Sequence, residues 1–127
     1  MRVVDTNVLV RLLVGDDAEQ TILAEQYVVQ GVWISHIVLI EAMWVLKHIY
    51  RQGPQAIADA VEMMLTHDSL SLERAGDVQA ALQVFRQKPA LGFIDCLIVQ
   101  SAIAAGHVPL GTFDAGLAKL SGAERIV

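Results

Sequence analysis

The sequence is poor in cysteine and in basic residues. Its single cysteine, Cys96, has no partner for a disulfide within the 127 residues, which is typical of a reduced cytosolic protein, and its apolar neighbours predict a buried, unreactive thiol. Nine Lys and Arg against fourteen Asp and Glu give a net charge of −5, so no overall positive field attracts nucleic acid or an anionic membrane. Any phosphate-bearing ligand must therefore be held locally.

Long apolar runs are also missing. Asp5, Asn7 and Arg11 interrupt the apolar start of the chain, and no small-residue cleavage site follows, which argues against a secretory signal. The longest apolar run, from Ile37 to Leu46, contains Glu41 and is shorter than the roughly 20 residues that cross a membrane. We expect a cytoplasmic protein with no membrane segment.

Apolar residues are nevertheless abundant. They make up 54% of the chain, which is enough to bury a core, and no linker, repeat or low-complexity tract interrupts them. The sequence therefore predicts a single domain over residues 1–127.

Short β-like runs alternate with longer helical patterns. The predicted strands are Arg2–Asp5, Val32–Ile34, Leu70–Leu72, Val108–Thr112 and, at an edge, Arg125–Val127. The predicted helices run from about Val8 to Gly15, from a capping box at Asp16 to about Gln30, from His36 to about Arg51, from Ala56 to about Thr66, from Ala75 to Gln87, from about Ile94 to Ala105, and from Asp114 to about Leu120. Strands linked by helices predict an α/β fold with three α/β/α layers and a short, mainly parallel central sheet.

Two carboxylates stand inside otherwise apolar helical stretches. Glu41 is alone in IVLIEAMWVL, and Asp95 is alone in GFIDCLIVQSAIAA. A buried carboxylate without a partner costs roughly several kcal/mol, and no Lys or Arg lies within four residues of Asp95. Each acid is therefore expected to be paired, protonated or bound to a cation, unless it lies on an exposed stripe of its helix.

Two further carboxylates follow predicted strands. Asp5 ends the first strand and Asp114 follows Leu110–Thr112, at the sheet edge where parallel sheets bind ligands. Each of these could instead simply cap the helix that comes after it. If all four acids converge, their repulsion calls for a cation, and oxygen-only ligands favour Mg²⁺ or Mn²⁺.

The remaining polar and aromatic residues carry less information. Trp33 and Trp44 occupy apolar positions, which predicts that both are buried. The histidines show no metal-ligand spacing, and we expect solvated or capping roles for all four, His36, His48, His67 and His107.

Four motifs in order resemble the PIN-domain ribonucleases, and among them the VapC-type toxins of type II toxin–antitoxin systems. They are VVDTNVLVRLL, SHIVLIEAMWVL, FIDCLIVQSAIAAG and GTFDAGLAKL, and together they span nearly the whole chain. The resemblance implies a metal-dependent endoribonuclease that hydrolyses phosphodiester bonds of single-stranded or looped RNA. It also implies a small antitoxin partner and a homodimer.

The resemblance assigns roles to individual residues. It implies that Mg²⁺ or Mn²⁺ is bound by a catalytic set of four acids, Asp5, Glu41, Asp95 and Asp114. Thr112 and Asn7 would support this site, and Arg11 would contact the RNA backbone. Gly92 stands where many relatives carry an extra acid, which argues against a second, tightly held metal.

Three other classes of protein are alternatives. A haloacid-dehalogenase-like phosphotransferase needs a second acid where Asn7 stands, and Leu9 also departs from its signature. A phospho-receiver domain needs an acidic pair after the first strand and a lysine after the last one, and neither is visible. A catalytically inactive PIN-like interaction module would keep the fold without the chemistry.

Overall fold

The protein is described by a computed structural model covering all residues 1–127. The chain divides into two compact units, Met1–Ala75 and Gly76–Val127. Both units combine helices with short parallel strands, so the predicted α/β class is confirmed.

The first unit contains three strands and four helices. In chain order they are β1 (Arg2–Val3), α1 (Thr6–Val14), α2 (Ala18–Val28), β2 (Val32–Ile34), α3 (His36–His48), α4 (Pro54–Thr66) and β3 (Leu70–Leu72). The strands form a parallel sheet in the order β1-β2-β3, with Val3 beside Trp33 and Trp33 beside Ser71. Helix α1 packs against α2 and α3.

The second unit begins within α5 (Ala75–Gln87). It continues through a 3₁₀ turn (Pro89–Leu91), α6 (Phe93–Ala104), β4 (Leu110–Thr112), a second 3₁₀ turn (Leu117–Lys119) and β5 (Ala123–Arg125). Strands β4 and β5 pair in parallel, with Thr112 beside Arg125. The strands of the protein thus form two separate parallel sheets instead of one.

Side-chain caps fix where the helices of the first unit begin. Asp5, Asp17 and Ser35 each accept a hydrogen bond from the backbone N–H three residues later, which satisfies a donor that the first helical turn leaves without a partner. Pro54 opens α4, where its missing N–H is harmless. The caps place α1 and α3 directly after β1 and β2.

Apolar side chains fill the interior of each unit. In the first, Leu39, Met43 and Leu46 lie three or four residues apart on α3 and are almost completely buried, and each such burial contributes about 1.5–3 kcal/mol. In the second, Phe85 meets Phe93 edge to face, with ring centroids 6.0 Å apart.

Several predicted helix boundaries are wrong. Asp17, not Asp16, caps α2, because the Asp16 carboxylate accepts hydrogen bonds from Arg11 and from the Tyr50 hydroxyl. Helix α3 ends at His48 and leads to Arg51, whose φ is 55°. The last predicted helix is only a 3₁₀ turn, and the last strand lies two residues earlier than expected.

The predicted burial of both tryptophans is also wrong. Trp33 is 40% exposed and Trp44 is 50% exposed, and Trp44 contacts the His48 ring at a centroid distance of 4.8 Å. His36 also differs from the solvated or capping role expected for it, because its Nε2 is buried without a hydrogen-bond partner. None of the helices combines the length and the apolarity needed to cross a bilayer.

Candidate active site

The N-terminus of α1 brings two of the predicted acids to one place. Asp5 follows β1, and its Oδ1 accepts a hydrogen bond from the Val8 N–H at 3.2 Å. The next residue, Thr6, donates its hydroxyl to Oε2 of Glu41 on α3 at 3.1 Å. The positive end of the α1 dipole stabilises negative charge here. Asp5 therefore caps α1, as the alternative interpretation had it, and the cap leaves the second carboxylate oxygen available.

Glu41 is exposed, so its expected burial is wrong. The apolar residues around it in the sequence include Ile37, which is 71% exposed, and Trp44. Helix α3 is apolar on nearly every side, and its outward face carries Glu41 together with these two side chains. The acid is therefore solvated, and no burial penalty requires it to bind a cation.

Asp95 lies in the first turn of α6 and is half-buried. Its neighbours Phe93, Cys96 and Leu97 are buried, so only one side of the first turn of α6 is accessible to solvent. Burial, together with the nearby Asp95 charge, raises the pKa of the Cys96 thiol to about 11. The predicted buried thiol is thus confirmed.

Gly92 precedes α6 in a conformation that favours glycine. Its φ is 83° and its ψ is 144°, a region in which a residue with a Cβ is strained. This backbone explains why the chain carries glycine at the position where the resemblance expects an extra acid.

Asp114 lies in a turn held by three hydrogen bonds. Its N–H donates to the Thr112 hydroxyl at 3.0 Å, and its Oδ1 accepts from the Leu117 N–H at 2.8 Å. Its carbonyl accepts from the Ala118 N–H at 3.0 Å. Asp114 therefore stabilises the turn that leads into the 3₁₀ helix, close to the alternative capping role, although Gly116 is the residue at the cap position. Thr112 fixes the backbone that carries the exposed carboxylate.

The two remaining predicted residues line a groove in the first unit. Asp5, Asn7 and Arg11 line it together with Gln20, and the groove has a volume of about 560 Å³. Asn7 is exposed and bonds to none of the four acids. Arg11 donates to Gln20 at 2.7 Å and forms an ion pair with Asp16 at 3.2 Å.

The four acids have the chemistry of a site for a hard cation. None of them forms an ion pair, and all four ligands would be carboxylate oxygens, the donors that Mg²⁺ and Mn²⁺ prefer. Asp5, Glu41 and Asp114 each use only one carboxylate oxygen in the hydrogen bonds described above. The protein nevertheless contains no assembled group of three or more His, Cys, Asp or Glu side chains arranged to hold a metal ion.

Sequence reasoning missed two residues that organise these surroundings. Thr6 orients Glu41, and its place between Asp5 and Asn7 in a polar triplet was a usable signal. Glu73 accepts a hydrogen bond from the His36 N–H at 2.7 Å and adds a second cap to α3. His36 and Glu73 are 37 positions apart, and no local pattern connects them.

Comparison with known proteins gives the family. None of the curated proteins matches the chain. Residues 2–123 match the PIN domain family, a span that contains both units almost completely and all four acids. With its confirmed α/β fold, the chain belongs to the PIN domain family.

Proposed function

We propose that the protein is a Mg²⁺- or Mn²⁺-dependent endoribonuclease that hydrolyses phosphodiester bonds of single-stranded or looped RNA. PIN domains are generally metal-dependent nucleases that act on RNA. The observation that carries the proposal is that Asp5, Glu41, Asp95 and Asp114 lack cationic side-chain partners, although each is at least partly exposed. Under this proposal residues 1–127 act as a single nuclease domain.

The four carboxylates would hold the cation. A divalent cation supplies Lewis-acid chemistry, because it polarises a phosphate oxygen and so eases attack by water. The Thr6 hydroxyl restrains Glu41, and the turn at Thr112 restrains Asp114. These two side chains would therefore lose less conformational entropy when a ligand binds. A carboxylate of the set that accepts a hydrogen bond from water would orient that water for in-line attack on the phosphorus.

Substitution of the acids tests the proposal. Asp5→Asn and Asp95→Asn should each abolish RNA hydrolysis while the fold is kept, because the amide removes a ligand charge and little else. Thermal denaturation should show that Mn²⁺ stabilises the wild type by mass action and stabilises each variant much less. Asp68→Asn, which makes the same chemical change at an exposed acid outside the site, should leave both measurements unchanged.

The opposite result is equally clear. Wild-type turnover by pure, folded Asp95→Asn would contradict the assignment of this residue as a metal ligand. Formation of a covalent phospho-aspartate would instead support the phosphotransferase alternative.

The proposal includes a role as a cytoplasmic toxin that is neutralised by a small antitoxin protein. It is supported by the resemblance of the four motifs to VapC-type toxins. Expression of the protein alone should arrest growth of a bacterial host, and co-expression of its antitoxin should relieve the arrest. Normal growth with confirmed expression of the active protein would contradict the toxin role.

A homodimer is also proposed. Its support is the same resemblance, together with the exposed apolar side chains of Ile37 and Trp44 on α3, since contiguous apolar surface favours association. Light scattering at micromolar concentration should give the mass of two chains. A monomer under these conditions would contradict dimerisation.

A further inference from the structure

Phe113 is an aromatic side chain that the fold leaves outside both cores. It is 78% exposed, more than any other large apolar residue except the chain-terminal Met1 and Val127. The other two phenylalanines, Phe85 and Phe93, are buried against each other. The exposed ring therefore contributes little to folding.

The backbone on both sides of Phe113 is firmly held. On one side, the Thr112 carbonyl accepts a hydrogen bond from the Ile126 N–H at 2.8 Å, and the Thr112 hydroxyl accepts from the Asp114 N–H. On the other, Asp114 is fixed through its bonds to Leu117 and Ala118. A ring presented from such a turn loses little backbone freedom when a ligand stacks on it.

The surroundings of Phe113 fit a nucleic acid better than a protein. Asp114, a proposed metal ligand, is the next residue, and both residues are exposed, so a ligand that stacks on the ring lies beside the proposed site. Arg125, beside Thr112 in the sheet, is exposed and forms no ion pair, so it is available to a phosphate. A single aromatic ring is large enough to stack on one base, whereas a protein interface requires a much wider surface.

We infer that Phe113 stacks on a base of the bound RNA and so positions the nucleotide that lies closest to Asp114. This inference rests on the proposed ribonuclease function and adds a residue that binds substrate at the same site. The contact reads no particular sequence, because every base has a face on which an aromatic ring can stack.

Fluorescence of a base analogue tests the inference. The probe is a 12-nucleotide single-stranded RNA whose phosphorothioate linkages slow hydrolysis, with 2-aminopurine placed at each position in turn. It is bound with Mg²⁺ to the wild-type protein and to variants of residue 113. Stacking should quench the fluorescence of 2-aminopurine at one position of the RNA, both in the protein with Phe113 and in the Phe113→Trp variant. Phe113→Leu keeps an apolar side chain and removes the aromatic face, so quenching should disappear.

Affinity provides a second readout. Phe113→Leu should weaken RNA binding about tenfold, the loss expected for one stacked base, and Phe113→Trp should restore it. Because stacking releases no counterions, the dependence of affinity on salt should not change. Val29→Ala, at another exposed apolar residue, should bind the RNA as the wild type does.

The possible failures are distinguishable. If wild-type protein neither binds nor cleaves RNA with Mg²⁺ or Mn²⁺, the proposed function fails and this inference fails with it. If the wild type cleaves RNA and Phe113→Leu gives the same affinity and quenching as Phe113, only the inference is wrong. Normal RNA binding by Phe113→Leu with loss of an antitoxin complex would show that the ring contacts protein, which also overturns it.

Discussion

Gly92 is the residue at which backbone conformation most directly limits the chemistry of the proposed site. A carboxylate at this position would lie three residues before Asp95 and would add a ligand, but φ is 83°. Side chains with a Cβ adopt this region only with strain. The fold therefore favours a site with fewer acids.

We expect Gly92→Asp to lower the free energy of unfolding by about 1–3 kcal/mol, the usual cost of such backbone strain. Urea denaturation followed by circular dichroism would measure it. Gly76→Ala provides the matched control, since Gly76 lies in the first turn of α5 and a Cβ there meets no atom within 4 Å. The control should not be destabilised, and equal stability of Gly92→Asp and the wild type would contradict the argument.

Cys96 gives a second prediction at the residue scale. Its side chain is fully buried, and burial raises the pKa of the thiol to about 11, so the reactive thiolate is scarce at neutral pH and is also inaccessible. We expect no labelling by a disulfide reagent at pH 7–8 in the native protein and complete labelling in denaturant. Rapid labelling of the folded protein would show that α6 opens readily at its N-terminal end.

At the scale of single elements, the N-terminus of α3 combines a local cap with a distant one. Ser35 accepts a hydrogen bond from the Val38 N–H at 3.1 Å, and Glu73 accepts from the His36 N–H. Two of the donors at the start of the helix are thereby satisfied. This fixes the helix that carries Glu41.

Ser35→Ala should therefore destabilise the protein by about 1 kcal/mol, because the alanine cannot accept the bond from Val38. Thermal or urea denaturation would measure the change. Ser71→Ala, at an exposed serine on β3, should have little effect. A loss of similar size in both variants would show that the cap is not the cause.

Elements with local signals could be predicted from the sequence, and those decided by distant contacts could not. Ser35 predicted the start of α3 correctly because capping depends on residues three apart. Asp16 and Asp17 are equally good caps in the sequence, and only the contacts of Asp16 with Arg11 and Tyr50 decide between them. Helix α3 is apolar on most sides, so its pattern could not show that Trp44 is exposed.

The same distinction holds for the candidate site. The cap formed by Asp5 and the turn formed by Asp114 depend on neighbours three residues away, and the sequence allowed both. The hydrogen bond between Thr6 and Glu41 joins residues 35 positions apart, and no periodic pattern in the sequence indicates that these two residues are in contact. The exposure of Phe113 is likewise hidden, since a phenylalanine after a strand is ordinarily expected to be buried.

At the scale of the whole molecule, the distribution of charge decides how RNA can be attracted. Four of the fourteen acids belong to the proposed site, which leaves ten acids against nine basic residues elsewhere. The basic residues are scattered from Arg2 to Arg125, and Arg11 is paired with Asp16. The chain can therefore neutralise few phosphates at once, and under the proposed function most of the attraction would come from a bound cation.

The last prediction follows from this balance. A protein that binds single-stranded RNA through many basic side chains loses affinity steeply with salt, with a slope of about −0.7 for each phosphate that it neutralises. Here we expect a shallow slope, and we expect EDTA to weaken binding as well as to stop cleavage, because the divalent cation that it removes supplies the main positive charge. Titration of labelled single-stranded RNA at several salt concentrations, with and without EDTA, would measure both effects. The Glu41→Gln variant retains three of the four acids and should bind RNA with intermediate affinity. Tight binding that falls steeply with salt and ignores EDTA would place the RNA on the scattered basic residues instead. Removing an exposed, unpaired one by Arg125→Met would then reduce the slope by the share of one phosphate.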